Sequence, residues 1–227
     1  MPPSNSLEVQ SSDKRMDPVA IWLFVCAVLV FAMIVLGGLT RLTHSGLSIV
    51  DWKPVTGWLP PLDQAVWQAV FEEYQRFPEY QKRNLGMSLD EFKSIFWFEY
   101  LHRLLGRIIG VAFLVPFLCF GASKSIRGKL ACWLAVLFCL GGLQGVVGWW
   151  MVKSGLVDRP DVSQYRLAAH LGLAVAIYGL LIWTALSLMF QNKDKRAETL
   201  GAYHGSACCL VAIFITMISG ALVAGLD

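Results

Sequence analysis

Residues 96–110 read FWFEYLHRLLGRIIG. Glu99, His102, Arg103 and Arg107 stand there among Phe, Trp, Leu and Ile, in a stretch apolar enough to enter a bilayer. An ionisable residue in a membrane helix costs about 2.5–3.5 kcal/mol on insertion scales, and such residues mark functional positions. Whether this stretch crosses a membrane decides the fold. What its acid, imidazole and guanidiniums do there decides the function.

Composition answers the first question. Of the 227 residues, 56% are hydrophobic and 15% charged, whereas soluble domains run at about 45–50% and about 25%. The chain reads as an all-α integral membrane protein. Five apolar stretches, 18–40, 95–121, 130–151, 167–190 and 202–224, reach the roughly 20 residues that a spanning helix needs. The net charge is only +3 and no Lys/Arg run is long, so the sequence points to membrane lipid and not to nucleic acid. Cys26, Cys119, Cys132, Cys139, Cys208 and Cys209 lie in or beside apolar segments, without a CxxC. This argues against a disulfide framework or a zinc site and predicts small buried thiols for most of them.

Lys14 and Arg15, then Lys124, Arg127 and Lys129, then Lys193, Lys195 and Arg196 mark the N-terminus, 122–129 and 191–200 as the cytoplasmic side. Residues 1–17 read as a disordered cytoplasmic N-terminus whose acids do not suit a mitochondrial transit peptide. The loop 41–94 then lies outside. In it Asp63 can cap a helix whose Trp67, Val70, Phe71 and Tyr74 share one face, an amphipathic element at the outer interface. Pro78 is expected to end it. Ser88 with Glu91 forms a capping box that starts the second membrane helix near residue 89. Trp52, Trp58, Trp97, Trp149, Trp150 and Tyr165 make an aromatic belt on that side. Finally, IVLGGLTRLTHSGL (34–47) is weakly echoed by MISGALVAGLD (217–227), which suggests a repeat that has only begun and hence a fragment of a longer protein.

The histidines carry the functional reading. His102 falls about two turns below the outer end of the second membrane helix and His170 about one turn below that of the fourth, at 1.5 Å per residue. Two imidazoles at matched depth on helices entering from one face can ligate one metal between them, and haem iron is the usual occupant in a membrane bundle. Gly106, Gly110, Gly172 and Gly179 leave room for a flat macrocycle. The alternative is a pair of histidines hydrogen-bonded within the bundle. His204, at the inner end of the fifth helix, is about 30 Å away and cannot join them; His44 reads as a solvated loop residue. Glu99 shares a helix face with His102 and is placed to accept protons from something bound there, or else simply pairs with Arg103 at i,i+4. Arg41, Arg103, Arg107 and Arg166 lie in the outer half, as partners for haem propionates or as plain interfacial anchors.

GGLTRLTHSGLSIVDWKP (37–54), FPEYQ (77–81), FEYLHRLLGRIIG (98–110), QGVVGWWMVKSGL (144–156) and SQYRLAAHLG (163–172) closely resemble the haem A synthase family, COX15/CtaA, in its proteobacterial and mitochondrial branch. The cysteine pair that another branch carries in its first outer loop is not present. The resemblance implies an eight-helix fold of two pseudo-symmetric four-helix halves. Residues 18–190 then form the N-terminal haem-binding half, and 191–227 an inner loop and the first helix of an incomplete second half. It implies oxidation of the C8 methyl of haem O to the formyl of haem A by successive hydroxylations with water-derived oxygen, for cytochrome c oxidase biogenesis. Glu99 becomes the essential acid, and His102 and His170 the haem ligands. The second half of the family supplies a further histidine pair for a haem b cofactor; His204 matches neither position, so the 227-residue chain alone is expected to be inactive. Haem O synthase, oxidase assembly factors and a second copy of the chain are the implied partners, in the bacterial inner membrane or, alternatively, the mitochondrial one. A non-catalytic b-type cytochrome and a haem-binding assembly or transport subunit are the competing readings, separated by Glu99, for which an electron carrier has no use.

Overall fold

Asp17 accepts a hydrogen bond from the Val19 amide at 2.9 Å, and Pro18 at the first helical position needs no donor partner; together they start α1 (Pro18–Leu42). The computed structural model describes residues 17–53, 56–157, 160–190 and 200–224, with backbone alone over 200–204. The described residues form α1, α2 (Gln64–Tyr74), α3 (Pro78–Lys82), α4 (Leu89–Ala122), α5 (Gly128–Gly155), α6 (Gln164–Met189) and α7 (Leu200–Ala224). α1, α4, α5, α6 and residues 205–224 of α7 are long and apolar enough to cross a membrane. The readings of residues 1–16 and 191–199 lie outside the described residues.

α1 packs against α4 and α6, and α5 packs against the same two, so the four helices close a ring in which α4 faces α6 diagonally and α1 faces α5. α7 leans on α6 from outside. At the end of the bundle where α1 begins, the ring is filled by Trp22, Leu23, Cys26, Leu134, Ile177 and Leu181. Pro116 lies inside α4 and has no amide hydrogen to give the Ala112 carbonyl. That carbonyl instead accepts from the Trp22 indole at 2.8 Å, with the Cys26 thiol 3.9 Å away. In a membrane every backbone group needs such a partner. The Trp133 indole likewise donates to Thr184 Oγ1 at 2.9 Å, joining α5 to α6.

At the other end α4 outruns the bundle. Its 34 residues make about 51 Å at 1.5 Å per residue, against about 30 Å of hydrocarbon. The first turn is closed by the capping box: Ser88 N donates to Glu91 Oε2 at 2.7 Å and Glu91 N to Ser88 Oγ at 3.3 Å. Phe92, Phe96 and Tyr100 on this projecting part pack against Trp67, Phe71 and Tyr74 of α2.

Two expectations change, and a third, the solvated His44, is refined. Pro78 does not end the amphipathic helix; α2 stops at Tyr74 and Pro78 opens α3, where its fixed φ suits a first turn. Of the six cysteines only Cys26 is buried, and Cys119, Cys132, Cys139, Cys208 and Cys209 lie on outward helix surfaces. A membrane bundle turns most of each helix to lipid, as Val28, Phe31, Leu118, Val136 and Trp183 are turned here, and a thiol is apolar enough to join them. His44 is exposed but not loose: it takes a left-handed φ of 49° in the turn that closes α1, where Ser45 N reaches Thr40 O at 2.9 Å.

Candidate functional site

His102 on α4 and His170 on α6 occupy one diagonal of the ring, and two glycines on the other diagonal make room for them. A Cβ on Gly37 of α1 would stand 3.0 Å from His102 Cε1, and one on Gly148 of α5 would stand 2.8 Å from His170 Cε1 and 3.3 Å from its Nδ1. A side chain at Gly148 cannot coexist with the imidazole where it is. Nδ1 of each imidazole is buried without a hydrogen-bond partner, a condition that costs about 1–3 kcal/mol per group. Two imidazoles on facing helices, each with an unpartnered Nδ1 and each set against a glycine, are a donor set that would suit a haem iron.

The other expected room-makers divide. Gly110 and Gly179 open onto free space, and Gly106 touches only Met33. Gly172 serves a different purpose: a Cβ there would stand 2.9 Å from Ile218 Cδ1, so it seats α7, not a macrocycle.

Glu99, one turn before His102, is 3% exposed. Its Oε2 accepts from the Ser48 hydroxyl at 2.8 Å and the Ile49 amide at 2.7 Å, and its Oε1 from Arg103 Nη2 at 2.6 Å. Arg103 also donates to the carbonyls of Ile49 and Asp51, at 2.7 and 2.8 Å. The pair therefore clamps residues 48–51 onto α4. Beyond it the same segment reaches across to α5, where Leu47 presses on Gly155 and Trp52 stacks on Trp149 at 5.3 Å. The arginines are engaged with backbone. Arg107 Nη2 donates to Lys53 O at 2.8 Å. Arg166 donates to Trp150 O at 2.7 Å while its guanidinium lies 4.4 Å over the Trp150 ring. Arg41 donates to Ala224 O, tying the end of α1 to that of α7. A cavity of about 380 Å³ beside the clamp is lined by Ile49, Pro60, Val70, Phe96, Arg103 and Arg107 and touches neither histidine.

Sequence reasoning passed over four residues. Gly37 and Gly148 lie in quoted motifs but on helices whose neighbours the sequence does not specify. Gln144 donates from Nε2 to the His170 carbonyl at 2.9 Å and faces His170 Nε2 at 3.4 Å; an amide inside an apolar helix was the available signal. Glu79, 2% exposed, accepts from the Tyr74 hydroxyl at 3.1 Å, and that hydroxyl accepts from Asn84 Nδ2 at 2.7 Å. Burial pushes the Glu79 carboxyl up to about 8. Nearby, Arg83 bridges the loops, 2.9 Å from Asp161 and 3.2 Å from His44 Nδ1.

The family model for COX15-CtaA, cytochrome oxidase assembly protein, matches residues 20–227. The heme A synthase of Nitrosospira multiformis is 56% identical over 222 residues, which cover 96% of this chain and 62% of that protein. That of Parvibaculum lavamentivorans is 55% identical over 218 residues, covering 96% and 63%. That of Nitrosomonas eutropha is 48% identical over 229 residues, covering 98% and 64%. The chain thus spans 62–64% of the length of these curated relatives. No solved structure matches it.

Proposed function

The chain belongs to the COX15-CtaA family of cytochrome oxidase assembly proteins, and from that premise we propose that its four-helix bundle binds haem O for oxidation of the C8 methyl to the formyl of haem A. The observation that carries this is the pair of imidazoles on facing helices, each with a buried, unpartnered Nδ1 and each housed by a glycine. Haem O brings its own iron and the methyl to be oxidised. Each hydroxylation replaces a C–H bond by a C–O bond to water-derived oxygen and releases two protons and two electrons. His102 and His170 hold and orient the substrate through its iron. The loop clamped by Glu99 and Arg103 lies over α4 on that side. Glu99, one turn from His102 and paired with Arg103, is the residue placed to accept the released protons. Arg41, Arg103, Arg107 and Arg166 are the guanidiniums that would meet the propionates, each already donating to a backbone carbonyl. The released electrons need an acceptor close to the substrate, and a haem b held by the second half of the family fold would supply it.

This reading places the chain in a bacterial inner membrane with its N-terminus cytoplasmic, next to haem O synthase and oxidase assembly factors. A second reading, a b-type cytochrome or haem-carrying subunit without turnover, draws support from one feature: both Glu99 oxygens are already occupied by donors of the chain itself. Membranes containing the chain with the rest of its family fold, incubated with haem O and read by pyridine haemochrome, separate the two. Haem A formed by the wild type and lost in Glu99→Gln, with haem O still bound, supports the synthase. Haem A formed equally by Glu99→Gln makes the residue a clamp and nothing more.

A further inference from the structure

We propose that the cleft where α5 ends and α6 begins binds the phosphate of an anionic phospholipid, with Lys153 and Arg166 as its cations. The cleft has a volume of about 390 Å³ and is lined by Trp150, Lys153, Ser154, Val157 and Arg166. None of these is an acid, and neither cation forms an ion pair among the described residues. Asp161, in the same loop, is held by Arg83 at 2.9 Å. Each cation lies over an indole instead: Lys153 Nζ is 5.1 Å from the Trp149 ring, and the Arg166 guanidinium 4.4 Å from that of Trp150. Arg166 is also anchored by its bond to the Trp150 carbonyl at 2.7 Å. Ser154 fixes the floor. Its hydroxyl donates to the Met151 carbonyl at 2.6 Å and accepts from the Ser163 amide at 2.9 Å, which joins the end of α5 to the cap of α6. Two positive charges thus face one open cleft in fixed positions.

Position selects the anion. At about 100° per residue, Trp150, Lys153 and Ser154 stand about 140–240° round α5 from Gly148, the position that houses His170. The cleft therefore opens on the face of α5 turned away from the imidazoles, and Arg166 would have to leave Trp150 to meet a propionate there. That face is turned to lipid, with Trp150 45% and Val157 64% exposed. It lies at the ends of two spanning helices, the depth at which indole belts meet headgroups. Lys153 and Arg166 also stand on the side read above as outer, where the charge bias that orients membrane helices does not call for them. A phosphodiester suits the pair, because a guanidinium meets two of its oxygens and an ammonium a third. The acyl chains then run down the same face, past Val146 and Leu143, exposed one and two turns below Trp150.

The test follows the thermal midpoint of the chain in detergent as short-chain lipid is added. Phosphatidylglycerol is expected to raise the midpoint of the wild type, as a ligand of the folded state does, and phosphatidylcholine, whose choline cation opposes the cleft, is not. Lys153→Gln alters an exposed side chain that bonds no backbone group among the described residues, so it should fold. It should weaken the apparent affinity for phosphatidylglycerol roughly 5-fold, the order that one basic residue contributes at an anionic membrane surface. Arg166→Lys keeps the charge and most of the effect; Lys153→Gln with Arg166→Gln loses it. Lys129→Gln, at the opposite end of α5, should respond like the wild type. An equal response to both lipids, or a Lys153→Gln titration identical to the wild type, overturns the proposal. Inorganic phosphate that reproduces the shift at the same concentration makes the cleft a general anion site and overturns the lipid assignment. Loss of haem B binding in Lys153→Gln returns the cleft to the propionates and overturns it too.

Discussion

The two ends of the same bundle treat polar atoms in opposite ways. Where α1 begins, Pro116 leaves the Ala112 carbonyl without its helical donor, and the chain supplies a Trp22 indole at 2.8 Å to repair it. At the level of the histidines, two imidazole nitrogens are buried without partners and the neighbouring positions are glycines. The packed end shows that this chain brings a donor to an awkward acceptor when none other is available. Its leaving two nitrogens unserved a few turns away is what supports the haem-binding reading proposed above.

Breaking the comparison at its open end gives the largest effect. His102→Ala and His170→Ala should each abolish the low-spin bis-imidazole spectrum of the chain with added haem B, whereas His44→Ala should leave it intact. A surviving low-spin spectrum in His170→Ala would mean that the pair does not ligate. At the closed end, Trp22→Phe strands the Ala112 carbonyl and should lower stability by about 1–3 kcal/mol, read as a lower thermal midpoint in detergent with the haem spectrum unchanged. The glycine slots sharpen the contrast. Gly148→Ala should weaken haem B binding about 10-fold, about 1.4 kcal/mol, and Gly37→Ala should do less, because its clearance of 3.0 Å exceeds the 2.8 Å at Gly148. Gly179→Ala, which meets open space, serves as the control.

The smallest effect lies in the loop, at Glu79. Burial raises its carboxyl from the ordinary 4.5 to about 8, so the folded state keeps a proton that the unfolded state has already lost. Stability should be fullest below about 4.5, decline as pH rises towards about 8, and level off above it. Glu79→Gln should flatten thermal midpoints measured across that window. An unchanged slope in the variant would assign it to other groups.

Much of this was legible in advance, for reasons that differ from element to element. The five spans could be found from hydropathy because lipid imposes length and composition directly, and the start of α4 because the Ser88–Glu91 box is local. The Glu99–Arg103 pair followed from i,i+4 spacing. What could not be read was anything that depends on which helices are neighbours. Gly37 and Gly148 are slots only because α1 lies beside α4 and α5 beside α6. Gln144 matters only because it meets His170, and Glu99 gains Ser48 and Ile49 from a loop about fifty residues away. The cysteines went the other way: burial was expected from their apolar setting, but in lipid an apolar setting does not imply the inside.

α4 also acts as a lever. The part that projects past the bundle is capped at Ser88 and bolted to α2 by Phe92 and Phe96, while lower down the same rod carries Glu99 and His102. A helix longer than the hydrocarbon commonly adapts to a thin or thick bilayer by tilting. Glu99 and His102 stand one turn apart on that rod, so a tilt of α4 would carry the clamped loop and the imidazole together and leave their separation unchanged.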